Sequence, residues 1–183
     1  AAGKRRVLYV APTGSGKTIL FTYISAGVAH KGKRIIILVH RDELLEQTSN
    51  ALRLGNVPHA ILTGGTLGTP RHQVLVASVF TLIRRIAHVQ PPDLLITDEA
   101  HHATTKTAWG KVAAHFASAL NLGVTATPCR LDGAGLGDIF DHLVLGPSVP
   151  SLIAEGYLAP PEVYAPKQEV DVDGVVVRAG DYA

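Results

Sequence analysis

The stretch Ala11-Pro12-Thr13-Gly14-Ser15-Gly16-Lys17-Thr18 has the composition of a loop that holds phosphate. Glycines let the backbone fold tightly and turn successive N–H groups toward one anion, because no Cβ opposes a positive φ. A helix opening directly behind the loop adds unpaired donors and the positive end of its dipole. In such a loop Thr13, Gly14, Ser15 and Gly16 form the cradle, Lys17 reaches the terminal phosphates, and the Thr18 hydroxyl can ligate magnesium. The usual pattern starts with glycine; here that first position is Ala11. A second element, Asp98-Glu99, supplies what a nucleoside triphosphate needs besides a cradle. Asp98 can hold Mg²⁺ directly or through water, and Glu99 can polarise the water that attacks the γ-phosphate. This reaction is mostly positioning and charge neutralisation, so one carboxylate for the metal and one for the water is the minimum set. The acidic pair could instead cap a following helix; the intact Lys17-Thr18 loop argues for the site.

These groups need a frame that brings them to one edge. Val7 to Val10 reads as a strand before the loop, and Ile19 onward as a helix to about His30, stopped by Gly32. Arg34 to Val39 is a continuous apolar, β-branched run, the signature of a strand buried on both faces. A helix over Asp42 to Leu54 follows, then a strand at His59–Leu62 and a loop over Thr63–Pro70. The strand Val74–Ala77 leads into a helix over Val79–His88. Asp93–Thr97 is a buried strand ending at the acidic pair. A helix over about Thr107 to Ala119 precedes a strand at Leu122–Thr125. The alternation predicts an α/β domain, a mostly parallel sheet covered by helices on both faces. In such a sheet, ligands sit beyond the carboxyl ends of the strands. Past Pro128 the pattern loosens: a glycine-rich loop over Leu131–Asp138, a short helix over Val149–Glu155, and an extended return over Tyr157–Ala165. The organisation expected is one domain over residues 1–165 and a linker over 166–183, with a possible hairpin turn at Asp171–Gly174.

At 183 residues and 46% hydrophobic, the chain can bury one good core but hardly two. Seventeen basic against fifteen acidic side chains leave a net charge of +2, so any nucleic-acid contact has to be local. A single cysteine, Cys129, excludes an internal disulfide and fits a reducing, cytoplasmic setting. No apolar run approaches the roughly 20 residues of a membrane span, so no membrane partner is expected. There is no methionine, and the first strand begins almost at once. The chain reads as a piece of a longer protein.

Four ordered motifs make a family resemblance specific. Asp98-Glu99-Ala100-His101 resembles the DEAH-type motif II of superfamily 2 helicases and translocases, Thr125-Ala126-Thr127-Pro128 their motif III, and Ala11 to Thr18 their motif I. His40-Arg41-Asp42-Glu43-Leu44-Leu45-Glu46-Gln47 is similar to motif Ia, with His40 for its proline and Asp42 for its arginine. Val76 to Leu82 resembles the next strand-end motif. The run Asp98 to His102 with Thr125 to Arg130 looks closest to type I and III restriction motor subunits and RadD-like repair helicases. The likeness covers about residues 7 to 130.

The resemblance implies a RecA-like P-loop NTPase domain that binds ATP and Mg²⁺ and partners a second RecA-like domain, which closes the cleft and brings an arginine finger. It implies that His101, Thr125 and Thr127, with Arg130 just beyond, couple phosphate state to movement. It also implies a nucleic-acid face carrying Arg41, Gly64, Gly65, Ser78 and Thr81, with DNA expected over RNA. Asp42 in place of arginine weakens one phosphate contact, for which Arg41 or backbone N–H groups can substitute. The expected activity is an ATP-driven helicase or translocase. A duplex translocase that never separates strands shares every motif, and an isolated half-motor would bind nucleotide without turnover.

Other conspicuous residues invite simpler readings. His102 beside His101 lacks a third ligand at metal spacing. Arg84 and Arg85 fit a phosphate contact or a solvated face equally. Trp109 and Phe116 read as one buried helix stripe, and Cys129 as structural.

Overall fold

The computed structural model describes residues 3–40, 42–64, 72–129, 133, 135–162, 164, 177–178 and 181–182; for Asp42 and the residues from 177 on it describes the backbone alone. The strands are β1 (Arg6–Val10), β2 (Ile35–Val39), β3 (His59–Leu62), β4 (Val74–Ser78), β5 (Leu94–Thr97), β6 (Leu120–Thr125) and β7 (His142–Leu145). They form one sheet in the order β3-β4-β2-β5-β6-β1-β7, and every neighbouring pair is parallel. Parallel neighbours need crossovers, and the helices supply them: α1 (Lys17–His30), α2 (Asp42–Leu54), α3 (Val79–Arg85) and α4 (Ala108–His115). A short α5 (Val149–Ala154) follows β7.

The continuous apolar runs were the right signal because the central strands have two faces to bury. All five residues of β2 and all four of β5 are buried. Alternate residues serve opposite cores. Ile36, Leu38 and Leu95 pack with Val79 and Leu82 of α3 and with Trp109, Val112 and Phe116. Ile35, Ile37, Val39 and Ile96 pack with Phe21 of α1 and with Leu45 and Leu52 of α2. Each side chain so buried contributes about 1.5–3 kcal/mol relative to exposure. Trp109 and Phe116 are core residues, as their spacing suggested.

Three expectations need correction. The helix expected to reach Ala119 stops at His115; Phe116 leaves the helical region, and a turn from Ala119 N–H to Phe116 O drops the chain into β6 at Leu120, two residues early. The helix over Val79–His88 is α-helical only to Arg85, its last three residues tightening to 3₁₀. β7 was not foreseen at all. It pairs on the outer side of β1, and its four residues alternate between half-buried and exposed, so it lacks the continuous apolar run of an inner strand. Near the C-terminus, β8 (Val177–Arg178) pairs antiparallel with β9 (Asp181–Tyr182). The turn expected at 171–174 lies outside the described residues, as do 65–70 of the Thr63–Pro70 loop and most of the segment expected to link onward from 166.

Candidate functional site

Because all seven strands are parallel, everything that follows a strand lies along one edge. Beyond β5, β6 and β1, which are neighbours, stand Asp98-Glu99, Thr125 to Thr127, and the Ala11–Thr18 loop. Beyond β3, β4 and β2 stand Gly64, Ser78 to Thr81, and His40. The edge divides into a half with phosphate and carboxylate chemistry and a half that carries the residues expected at nucleic acid.

The ladders run on into the first half. Ala11 N–H donates to Thr125 O (3.0 Å), and Asp98 N–H to Leu38 O (2.9 Å), so the loop and the acidic pair leave rigid strand ends. Gly14 and Gly16 take left-handed conformations (φ 80° and 82°), which a side chain would strain. A Cβ on Gly14 would in addition stand 2.9 Å from Leu158 Cδ2, so the segment after α5 backs the loop. Gly16 precedes α1, and Leu20 N–H opens the helical ladder on Gly16 O (3.0 Å). The amides before it have no partner within the helix. Lys17 folds back over the loop, its Nζ donating to Ala11 O and Pro12 O, both at 3.0 Å. Ser15 Oγ is buried with no hydrogen-bond partner among the described residues. Ala11 is fully buried, and Gly146, whose own Cβ would stand 2.8 Å from the methyl of Ala11, leaves room for it. That closeness accounts for a methyl where the usual pattern has glycine.

The acidic pair is strained and networked. Glu99 has φ 50° and ψ 48°, left-handed, and Asn56 is the other non-glycine residue with a positive φ among those described. Such a conformation costs of order 1–3 kcal/mol and persists where the surroundings impose it. Here the room is made by Gly123 of β6: a Cβ there would meet Ala100 Cβ at 2.9 Å and Phe140 Cζ at 2.4 Å, so the turn at 99–102 sits directly on the strand. Glu99 N–H donates to Asp98 Oδ1 (3.0 Å). His101 Nδ1 lies 3.2 Å from Glu99 Oε2 and 2.9 Å from Thr125 Oγ1. The Nδ1–Thr125 contact is a hydrogen bond whose donor depends on the ring's tautomer, and the Glu99 contact is an ion pair when the ring is protonated. Thr127 N–H donates to Thr125 Oγ1 at 3.1 Å. Glu99, His101, Thr125 and Thr127 thus form one chain of polar contacts beyond β5 and β6, an ion-pair contact followed by two hydrogen bonds.

Burial holds the Asp98 carboxyl above the ordinary aspartate range, and the charge of Glu99 adds to this; the Glu99 amide, Lys17 and His101 oppose it. A raised pKa means that folding is favoured by the protonated form. Stability therefore falls as pH rises from the unfolded value of about 3.8 through the higher folded value, and at neutral pH the ionised group is a cost. Asp98→Asn keeps an oxygen for the Glu99 amide and removes only that charge. It should raise the melting temperature of the ligand-free protein at pH 7. The gain should shrink on acidification. Thermal unfolding at pH 7 and pH 4 checks both, and a lowered melting temperature at pH 7 would refute the argument.

The other expected residues are placed as follows. Ser78 is buried and caps α3, its Oγ accepting from Thr81 N–H (3.3 Å) and donating to Thr81 Oγ1 (3.0 Å). Arg85 is turned back, its Nη2 donating to Gly64 O, so it straps the loop after β3; Arg84 is exposed. Cys129 is exposed, which corrects its reading as a structural residue. Arg41, Gly65 and Arg130 lie outside the described residues. Missed in the sequence were Arg85 as a strap and a group of rings formed by His40, Phe80, His101, His102 and Trp109. Histidine directly after β2, and a histidine pair four residues beyond the neighbouring β5, was the available signal.

Residues 1–130 match the family described as type III restriction enzyme, res subunit. The 51.5 kDa protein of Lactococcus phage (isolate 7-9) is 33% identical over 172 residues, 94% of this chain and 35% of that protein. The type I restriction enzyme EcoAI endonuclease subunit of Escherichia coli is 30% identical over 185 residues, 94% of this chain and 23% of its own length. The chain therefore spans about a third or less of the curated relatives it matches. Among solved structures, the Hef helicase domain of Pyrococcus furiosus superposes with a TM-score of 0.65 at 23% identity, covering 78% of this chain and 35% of that one. That likeness carries the fold, a helicase RecA-like domain.

Proposed function

The chain belongs to the family of type III restriction enzyme res subunits, and from that premise we propose that it is the ATP-binding motor domain of a superfamily 2 helicase or translocase acting on DNA. The observation that carries this reading is the chain Glu99–His101–Thr125–Thr127 standing beside a lysine-bearing glycine loop at three adjacent strand tips. A bare phosphate loop binds nucleotide; a loop linked through histidine to a second strand end can also report the state of the nucleotide.

In this reading the amides of Thr13 to Gly16 hold the phosphates, together with the Ser15 hydroxyl, which has no partner within the described residues. Lys17 exchanges its two carbonyl partners for phosphate oxygens. The residues fit magnesium: Thr18 and Asp98 are the oxygen donors, a hydroxyl and a partly buried carboxylate, as a hard cation requires. When bound, the ion would neutralise charge developing on the transferred phosphoryl group. Glu99 takes the proton of the attacking water, and His101 holds its carboxylate in place. Loss of the γ-phosphate changes what Glu99 contacts, and His101 passes that change to Thr125 and Thr127. A second RecA-like domain, from the remainder of a longer protein, closes the cleft and adds the missing cation. Among the described residues no helix is long and apolar enough to cross a membrane, and we place the protein in the cytoplasm.

Membership of a restriction-enzyme family favours DNA as the track. The test is ATP turnover by the full-length protein with single-stranded DNA, duplex DNA and RNA. Stimulation by DNA, weakening steeply between about 50 and 200 mM salt as phosphate contacts are screened, is expected. Turnover indifferent to all three polymers would sink the motor reading, and a strand-displacement assay separates unwinding from translocation on duplex.

A further inference from the structure

On the polymer half of the edge, one aromatic side chain is exposed and yet held in place. Phe80 is the second residue of α3, directly past the carboxyl end of β4, and is 48% exposed. Its ring stands edge-on to Trp109 (centroids 5.7 Å apart, planes at 79°) and tilted against His40 (6.1 Å, 54°). Trp109 and His40 meet edge to face in turn (5.2 Å, 84°). Trp109 is buried in the core, so the trio is anchored to α4 and to the end of β2. An exposed aromatic residue alone means little. Among the described residues, however, the other exposed aromatics, Tyr23, Tyr157 and Tyr164, make no ring contacts, and none follows a sheet strand. Ring neighbours on two sides restrict the orientation of Phe80, while about half of the residue stays open to solvent.

We propose that Phe80 is a nucleobase-stacking site, taking one base of a single strand laid along the carboxyl ends of β3, β4 and β2. The proposal rests on the motor reading above and adds the form of the track, a strand with unstacked bases. Charge points the same way. A net charge of +2 gives weak general attraction for a polyanion, and Arg85 is engaged with Gly64 O. Stacking supplies affinity that salt does not screen and that any base can satisfy, as a motor moving over arbitrary sequence requires. A base paired within a duplex offers no free face to the ring.

The full-length protein is titrated with oligo(dT) and with an abasic oligonucleotide of the same length. The parent should bind oligo(dT) about 5- to 150-fold more tightly, the range found for stacking one base. Phe80→Ala and Phe80→Leu should both lose that contrast while keeping the affinity for the abasic strand and its salt dependence; Phe80→Tyr should retain it. Phe80→Leu preserves apolar bulk, so its loss of contrast cannot come from collapse of the ring cluster. An undiminished contrast in Phe80→Ala and Phe80→Leu overturns the stacking site and leaves the motor reading standing. A parent that binds neither oligonucleotide overturns both.

Discussion

Lys17→Ala should abolish nucleotide binding, with affinity falling about 10²- to 10⁴-fold. The size follows from what the ammonium gives up. In the ligand-free protein it already makes two hydrogen bonds, to Ala11 O and Pro12 O, at 3.0 Å each. These partners are neutral carbonyls. Exchanging them for two anionic phosphate oxygens turns ordinary hydrogen bonds into charge-assisted ones, each about 1.5–3 kcal/mol, and 1.4 kcal/mol is tenfold in affinity. Alanine also leaves the two carbonyls facing the anion with no cation between. The fold should survive, because the loop conformation is set by Gly14, Gly16 and the Ala11 bond to Thr125 O, not by the lysine. Calorimetric titration with a non-hydrolysable ATP analogue, alongside thermal unfolding, checks both halves. Binding within threefold of the parent, in a variant that melts normally, would mean that the glycine loop is not where the triphosphate sits.

The fold could be read from the sequence wherever burial was two-sided. Ile35 to Val39 and Leu94 to Thr97 have neighbours on both sheet faces, so their composition is constrained at every position. His142 to Leu145 is constrained at every second position only, at an edge, and four such residues look like a loop. The end of α4 was illegible for a different reason: no glycine or proline marks it, and the early turn is dictated by where β6 must begin beside β5. At the candidate site, the strand-loop order put the glycine loop, the acidic pair and Thr125 to Thr127 at strand ends, and those ends are neighbours in the sheet. Conformation was not legible. Nothing local says that Glu99 is left-handed; the strain is imposed by Ala100 seating against Gly123, 23 residues away. Nor does helical spacing show that Phe80, His40 and Trp109, from three separate elements, end in one cluster.

That imposed turn is why Glu99→Gln should give the cleanest separation of binding from chemistry. Glutamine matches the shape, tolerates the same backbone as well as glutamate does, and keeps an oxygen for His101 Nδ1 (3.2 Å in the parent). What it loses is the ability to accept a proton. A positioned general base contributes about 10²–10⁴ in rate, so turnover should fall by that factor. Affinity for Mg²⁺-ATP should stay within about threefold of the parent, or tighten. Tightening has a physical source: the charge of Glu99 helps to hold the Asp98 carboxyl above its ordinary range, so removing it favours the ionised Asp98 that a cation needs. Single-turnover phosphate release by the full-length protein with DNA present, set against equilibrium binding of ATP, measures the two effects separately. Binding lost together with turnover would make Glu99 a structural anchor for the loop, and turnover unchanged would remove it from the chemistry. Loss of turnover with binding intact, and with the hydrogen bond between His101 and Thr125 preserved, would support proton transfer to this left-handed carboxylate in the proposed hydrolysis.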